Sequence, residues 1–148
     1  MKQFEDLPVW QAARDMYLIL SAFIKDNGAI FDYSFKDQCL RAGLSVSNNI
    51  AEGYERGTNN ELIHFLFMAK GSCGELRSMM RIASCKKIKS DESLKHIINA
   101  CINIASQLQG WIDYLKRSDF KGQKFSEIRE ESALYGSSPD DPYPRFES

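Results

Sequence analysis

The sequence predicts an all-α protein: an antiparallel up-down-up-down four-helix bundle over residues 1–117, followed by a C-terminal extension over 118–148 that is partly helical or disordered. Three observations carry that reading. Apolar residues recur at steps of three and four through four successive segments, the signature of one buried helix face each. No segment shows the two-residue alternation of a half-buried strand. Short connections with start and stop signals separate the four, and short links make consecutive helices antiparallel neighbours.

The first helix is expected from Leu7 to Asp26. Asp6 is the candidate N-cap, and Pro8 falls in the first turn, where its missing N–H costs little. Val9, Ala13, Met16, Leu20 and Phe23 form its stripe, and Asn27-Gly28 supplies a left-handed stop. The second begins near Asp32 or Ser34 and runs to Arg56, with Gly57 ending it; its stripe is Phe35, Cys39, Ala42, Val46 and Ile50. Thr58-Asn59-Asn60-Glu61 fits the capping box, in which a hydroxyl and a carboxylate each satisfy a free backbone N–H. The third helix then carries Leu62, Phe65, Leu66, Ala69, Cys73, Leu76, Met80 and Ala83, and Lys86 and Lys87 suit the negative end of its dipole. Ser90-Asp91-Glu92 opens the fourth, whose face is Leu94, Ile97, Ile98, Cys101, Ile104, Leu108, Trp111, Ile112 and Leu115; Lys116-Arg117 marks its end.

The chain is organised around Arg41 to Gly53, where small and amide-bearing residues sit inside a helical apolar pattern. Glycine costs a helix about 1 kcal/mol relative to alanine, so packing must offset the loss. Folding helices two and three back around Gly57-Thr58 sets Gly43 level with Ser72 and Ser45 with Lys70. The two small-residue segments, this one and Gly71-Ser72-Cys73-Gly74, then face each other, closer than the usual 8–10 Å between axes. The same rule around Gly28-Ala29 brings Trp10 level with Asn49, where an indole-to-amide hydrogen bond would satisfy two buried groups.

Composition narrows the function classes. The chain has 148 residues, 43% hydrophobic and 26% charged, with a formal net charge of −1. That balance exerts no general pull towards nucleic acid or anionic membranes, so any such binding must come from local clusters. No uninterrupted apolar run reaches membrane-spanning length, and acids stand where a signal peptide would place its apolar core, so a cytoplasmic location is expected. Cys39, Cys73, Cys85 and Cys101 lack C-x-x-C spacing and fall on or beside apolar stripes, as reduced core thiols do. Glu52 and His64 should stand level across the hairpin, as a general acid/base pair would. Without a nucleophile, metal cluster or glycine-rich loop they read better as part of a register-fixing polar network. His96 reads as a surface or boundary residue. The sequence assigns no catalytic residue, metal or cofactor.

One resemblance adds to this. Phe4-x-Asp6-Leu7-x-Val9-Trp10-Gln11-x-Ala13, then Gln38-x-x-Arg41-Ala42-x-x-Ser45-Val46-x-x-Asn49-Ile50-Ala51-Glu52-Gly53 with Arg56, then Phe65-Leu66-x-x-Ala69-x-Gly71-Ser72-x-x-Glu75-Leu76, resembles the bacterial four-helix bundle family encoded by intervening sequences in large-subunit ribosomal RNA genes. The resemblance covers Phe4 to Arg117. It implies a left-handed bundle assembling as a ring-shaped homopentamer, without enzymatic activity. It also implies distant kinship with basic accessory proteins of diversity-generating retroelements, which associate with a reverse transcriptase and nucleic acid. Trp10, Arg41, Asn49, Glu52, Arg56 and Glu75 are the expected determinants of packing and assembly. Tyr17, Tyr54, Phe67 and Tyr114 lie off or at the edge of the stripes and suit burial between subunits.

Charge placement supplies the alternative, an RNA-binding accessory protein. Lys25, Lys86, Lys87 and Lys89 gather at one end of the bundle, and Arg56, Lys116, Arg117, Lys121 and Lys124 at the other. A five-fold ring would turn either set into a basic collar for phosphates, although lysines also favour helix C-termini through the dipole alone. In the extension, Phe125, Ile128, Ser132 and Tyr135 are spaced as one side of a short helix, and Asp140-Asp141-Pro142-Tyr143-Pro144 reads as extended or disordered.

Overall fold

The computed structural model describes residues 2–89, 91–124 and 146, with the side chains of 119–124 left aside. Four helices account for nearly all of them: α1 (Pro8–Asp26), α2 (Tyr33–Arg56), α3 (Asn59–Ala83) and α4 (Asp91–Lys124), preceded by a 3₁₀ turn at Phe4–Asp6. No strand occurs among the described residues. Helix α2 packs between α1 and α3, and α4 closes the bundle against α3 and α1. The expected stripes make the core. Val9, Met16, Leu20 and Phe23, then Cys39, Val46 and Ile50, then Leu62, Leu66, Leu76 and Met80, then Leu94, Ile97, Leu108, Trp111 and Leu115 are all buried. Phe35 and Phe65 are only half-buried at its margin.

The caps explain most of the boundaries. Asp32 Oδ1 accepts the Phe35 N–H at 2.8 Å and starts α2. Gly57 ends it with φ +87°, a left-handed conformation that side chains with a Cβ resist. Thr58 Oγ1 accepts the Glu61 N–H at 3.3 Å. The return bond differs from the expected box: the Glu61 carboxylate accepts from the Thr58 hydroxyl, 3.2 Å away.

Three boundaries depart from expectation. Asp6 does not cap α1; its carboxylate accepts the Gln3 N–H at 3.0 Å, closing the 3₁₀ turn, and Leu7 occupies the cap position. Asn27 has φ −109°, outside the left-handed region; the chain leaves α1 through backbone turns closed by Gly28 N–H to Lys25 O at 3.3 Å and Ile30 N–H to Asn27 O at 3.0 Å. Helix α4 runs past Lys116-Arg117 to Lys124. Favourable charge at a helix end does not terminate a helix; that takes a residue unable to continue it. Ser90, Phe125, Ile128, Ser132, Tyr135 and the Asp140–Pro144 stretch lie outside the described residues.

The close approach also falls elsewhere than expected. A Cβ added at Gly43 would stand 2.5 Å from Leu20 Cδ2 of α1, and one at Gly53 would stand 2.7 Å from Phe65 Cβ of α3. Helix α2 therefore presses on both neighbours, through one glycine each. Gly71 and Gly74 meet nothing within 4 Å and do not face α2. Across the hairpin Ser45 Oγ meets Ser72 Oγ at 2.9 Å, where Lys70 was expected level with it. Gly71 and Gly74 point outward because they fall off the stripe of Ala69, Cys73, Leu76 and Met80, which is buried as the spacing predicts.

Candidate assembly interface

Two surfaces stand out, a polar seam between α2 and α3 and the outward face of α3. The seam is built by α2 positions spaced three and four apart: Gln38, Arg41, Ser45, Asn49, Glu52 and Arg56. Gln38 Nε2 donates to Glu75 Oε1 across the groove. Ser45 and Ser72 share a hydroxyl bond further along. Asn49 Nδ2 donates to Ser45 O and Oγ, both at 2.8 Å. The expected hydrogen bond from Trp10 to Asn49 is not formed; the Trp10 ring meets Phe4 edge-on at 5.3 Å and Arg14 at 5.5 Å.

At the far end Arg56 pairs with Glu52 at 3.1 Å, approaches Glu61 at 3.8 Å, and lies over the Phe65 ring. Glu52 is thus engaged with Arg56, and His64 is exposed and edge-on to Phe65. No ion pair joins Glu52 to His64. Arg41, with its side chain 73% exposed, pairs with Asp37 on its own helix at 2.8 Å. Exposed pairs of this kind contribute about 0–1 kcal/mol each. The seam therefore fixes how α2 and α3 register more than it stabilises them.

The outward face of α3 is the second surface. Phe67 is 42% exposed, Met68 46% and Ile82 54%. Between them lie Gly71, Gly74 and Ser78, with open space above both glycines. A helix apolar on its outer side as well as its inner one is normally covered by something. Of the aromatic residues expected at an outer surface, Phe67 is the most open; Tyr17, Tyr54 and Tyr114 are half-buried. Lys116 Nζ sits 4.9 Å over the Phe67 ring, and Lys70 donates to Gln109 at 2.6 Å, tying this face to α4. The sequence reading passed over Met68 and Ile82. Their period within α3 was the available signal.

Cys39, Cys73 and Cys101 are buried free thiols. Burial pushes Cys39 up to about 12, aided by the Glu75 charge, and Cys73 also to about 12. Burial raises Cys101 to about 11, opposed by Arg77. Such thiols stay protonated and inert. Cys85 departs from expectation: it is exposed in the α3–α4 connection, not part of the core. Among the described residues no group of three or more His, Cys, Asp or Glu side chains could hold a metal ion. No helix among them is long and apolar enough to cross a membrane. A shallow groove of about 430 Å³ between α1 and α4, lined by Asp15, His96, Asn99, Asn103 and Gln107 among others, completes the surface relief.

Two asparagines, which the sequence places only at a helix stop and in a capping box, make long-range brackets at the two ends of the bundle. Asn27, 1% exposed, donates through Nδ2 to Phe23 O at 3.0 Å and to Lys89 O at 2.9 Å, and accepts the Lys89 N–H at 2.6 Å. This bracket holds the last turn of α1, with Lys25, beside the connection bearing Lys86, Lys87 and Lys89. Asp26, Asp32, Asp91 and Glu92 lie at the same end, and Lys36 donates to Gly28 O at 3.1 Å. At the other end Asn59 brackets Phe146 in the same way, through its N–H at 3.0 Å and its carbonyl at 3.3 Å. Lys121 and Lys124 lie in the final turns of α4, with side chains outside the description.

No curated protein matches the chain. The model of one family, the 23S rRNA-intervening sequence protein, matches residues 5–110, spanning α1 to α3 and most of α4. The glycine-bearing α2 helix, its polar seam and the four-helix frame thus fall inside the matched span, and the chain belongs to the 23S rRNA-intervening sequence protein family.

Proposed function

We propose that this protein is a non-enzymatic assembly module that forms a homo-oligomer, a homopentamer by its resemblance, through the outward face of α3 and the adjoining α2–α3 seam. One observation carries the reading: α3 exposes Phe67, Met68 and Ile82 around Gly71, Gly74 and Ser78, an apolar surface with room for a second helix to approach. Small residues between large ones let backbones come close, and burying the large ones supplies the driving force. Arg41, Glu52, Arg56 and Glu75 line the edge of that surface, where charge fixes the register of partners more than their affinity. Light scattering coupled to size exclusion tests the proposal. The expected mass is about five times the 16.9 kDa of the chain, falling to one chain in a Phe67→Glu/Met68→Glu variant of unchanged helicity. A wild-type monomer at tens of micromolar would refute it.

The Asn27 bracket favours a second reading, RNA binding at the basic ends. It supports a local cluster of Lys25, Lys86, Lys87 and Lys89, which a ring would repeat; Arg56, Lys116, Arg117, Lys121 and Lys124 are the candidate contacts at the other end. Opposing it, Asp26, Asp32, Asp91 and Glu92 intersperse the first cluster, and Arg56 is already paired. Binding by counterion release falls steeply with salt. Absence of RNA binding at low salt would remove this reading while leaving assembly intact.

A further inference from the structure

The turn between α2 and α3 carries a contact that neither assembly nor RNA binding uses. Gly43 meets Leu20 and Tyr17 of α1, and the 3₁₀ turn that precedes α1 also packs on α2. What covers Tyr54, in the last turn of α2, is chain of another kind. Its hydroxyl donates to Lys2 O at 2.9 Å, and its ring lies 5.4 Å from that of Phe146, tilted by 55°. Asn59, at the first position of α3, then reads the main chain of Phe146 on both sides: Oδ1 accepts its N–H at 3.0 Å, and Nδ2 donates to its carbonyl at 3.3 Å.

A side-chain amide that satisfies both main-chain groups of one residue reproduces one rung of a β-ladder. It demands an extended peptide and is indifferent to side chain. The neighbouring ring supplies the side-chain preference. Main-chain hydrogen bonds for affinity with a side-chain contact for selection is the logic of extended-peptide recognition. The other amide bracket, at Asn27, is sealed in the interior, whereas Asn59, Tyr54 and Phe146 are each only half-buried. An occupant at such a site can leave without opening the core.

We infer that Tyr54 and Asn59 form a docking site for an extended peptide bearing an aromatic side chain, with Phe146 as its resident occupant. The test uses a fluorescein-labelled peptide with the sequence of residues 140–148 and full-length chains, read by fluorescence polarisation. A Phe146→Ala chain, whose own occupant lacks the ring, takes up the peptide at least tenfold more tightly than wild type. A peptide with alanine at the Phe146 position binds that chain at least tenfold more weakly. Adding Asn59→Ala to the Phe146→Ala chain abolishes uptake. Asn59→Asp, which keeps the acceptor and suits the first turn of a helix, weakens it severalfold; circular dichroism verifies both folds. As an independent readout, 4-fluorophenylalanine at position 146 of the otherwise wild-type chain gives a ¹⁹F resonance displaced from that of the free peptide. Equal uptake of the phenylalanine and alanine peptides, or a ¹⁹F resonance at the free-peptide position, overturns the inference. Each readout concerns a single chain, so failure of the ring to assemble would leave this result standing.

Discussion

The two ends of the bundle are held by the same chemical device in different surroundings. At one end the Asn27 amide brackets Lys89; at the other the Asn59 amide brackets Phe146. Asn27 is sealed inside, so each hydrogen bond it makes replaces one that water cannot supply. Asn59 is half-exposed, and water competes for both of its bonds. The net contribution of a hydrogen bond depends on what happens when it is lost, and loss costs most where a buried group is left unpaired. The same bonding pattern therefore yields a structural clamp in one place and a reversible contact in the other.

The largest expected effect comes from cutting the buried bracket. Asn27→Ala leaves the Lys89 carbonyl and N–H without their side-chain partner, while the Phe23 carbonyl keeps the N–H of residue 27, and about 2–3 kcal/mol of stability should be lost. Urea denaturation followed by circular dichroism measures it; a loss below 0.5 kcal/mol would mean that the clamp is no stronger than its open counterpart. Next in size is the turn beside the open bracket. Gly57→Ala forces a Cβ into left-handed backbone at φ +87°, at a cost of about 1 kcal/mol. The open bracket itself is weaker still. Asn59→Ala should cost no more than about 0.5 kcal/mol in the same urea titration, and equal losses for Asn27→Ala and Asn59→Ala would erase the contrast.

Thiol chemistry gives the smallest and most local readout. In the native state an alkylating reagent should modify Cys85, in the exposed connection next to the Asn27 bracket, and spare Cys39, Cys73 and Cys101. Fast modification of a second thiol under native conditions would contradict a sealed core. The buried thiols also set an alkaline limit. Burial raises them from 9.0 to about 11 or 12 in the folded chain, so above pH 9 the unfolded chain loses these protons first. Stability should be flat with respect to these groups below pH 9 and decline above it, as the urea midpoint against pH would record.

How much of this was legible beforehand can be read from single residues. Leu62, Leu66, Leu76 and Met80 were assigned to the core from spacing alone, because one period fixes a helix face whatever its neighbours are. Gly57 and Thr58 were legible as caps because capping is a contact within four residues; Asp32 remained one of two candidates, and Asp6 closes a 3₁₀ turn instead. The small-residue stretch of α2 is packed closely, but Gly43, set level with Ser72 of α3, presses on Leu20 of α1, and Gly53, to which the sequence assigned no partner, presses on Phe65 of α3. Gly71 and Gly74 lie off the buried stripe of α3 that the spacing itself defines, at about 100° of rotation per residue, so they face outward, and the apolar outer surface of α3 came into view only with them.

By itself, then, the sequence determined the four helices, their buried faces and most of their ends, since these depend on periodicity and on short-range hydrogen bonds. Only the tertiary structure decided that Asn49 serves Ser45 rather than Trp10, and which strangers the two asparagines meet. The physical reason is distance along the chain. Asn27 and Lys89 are 62 residues apart, and Asn59 and Phe146 are 87. An amide offers the same donor and acceptor to any backbone that comes within reach, and what comes within reach is settled by the packing of the whole bundle.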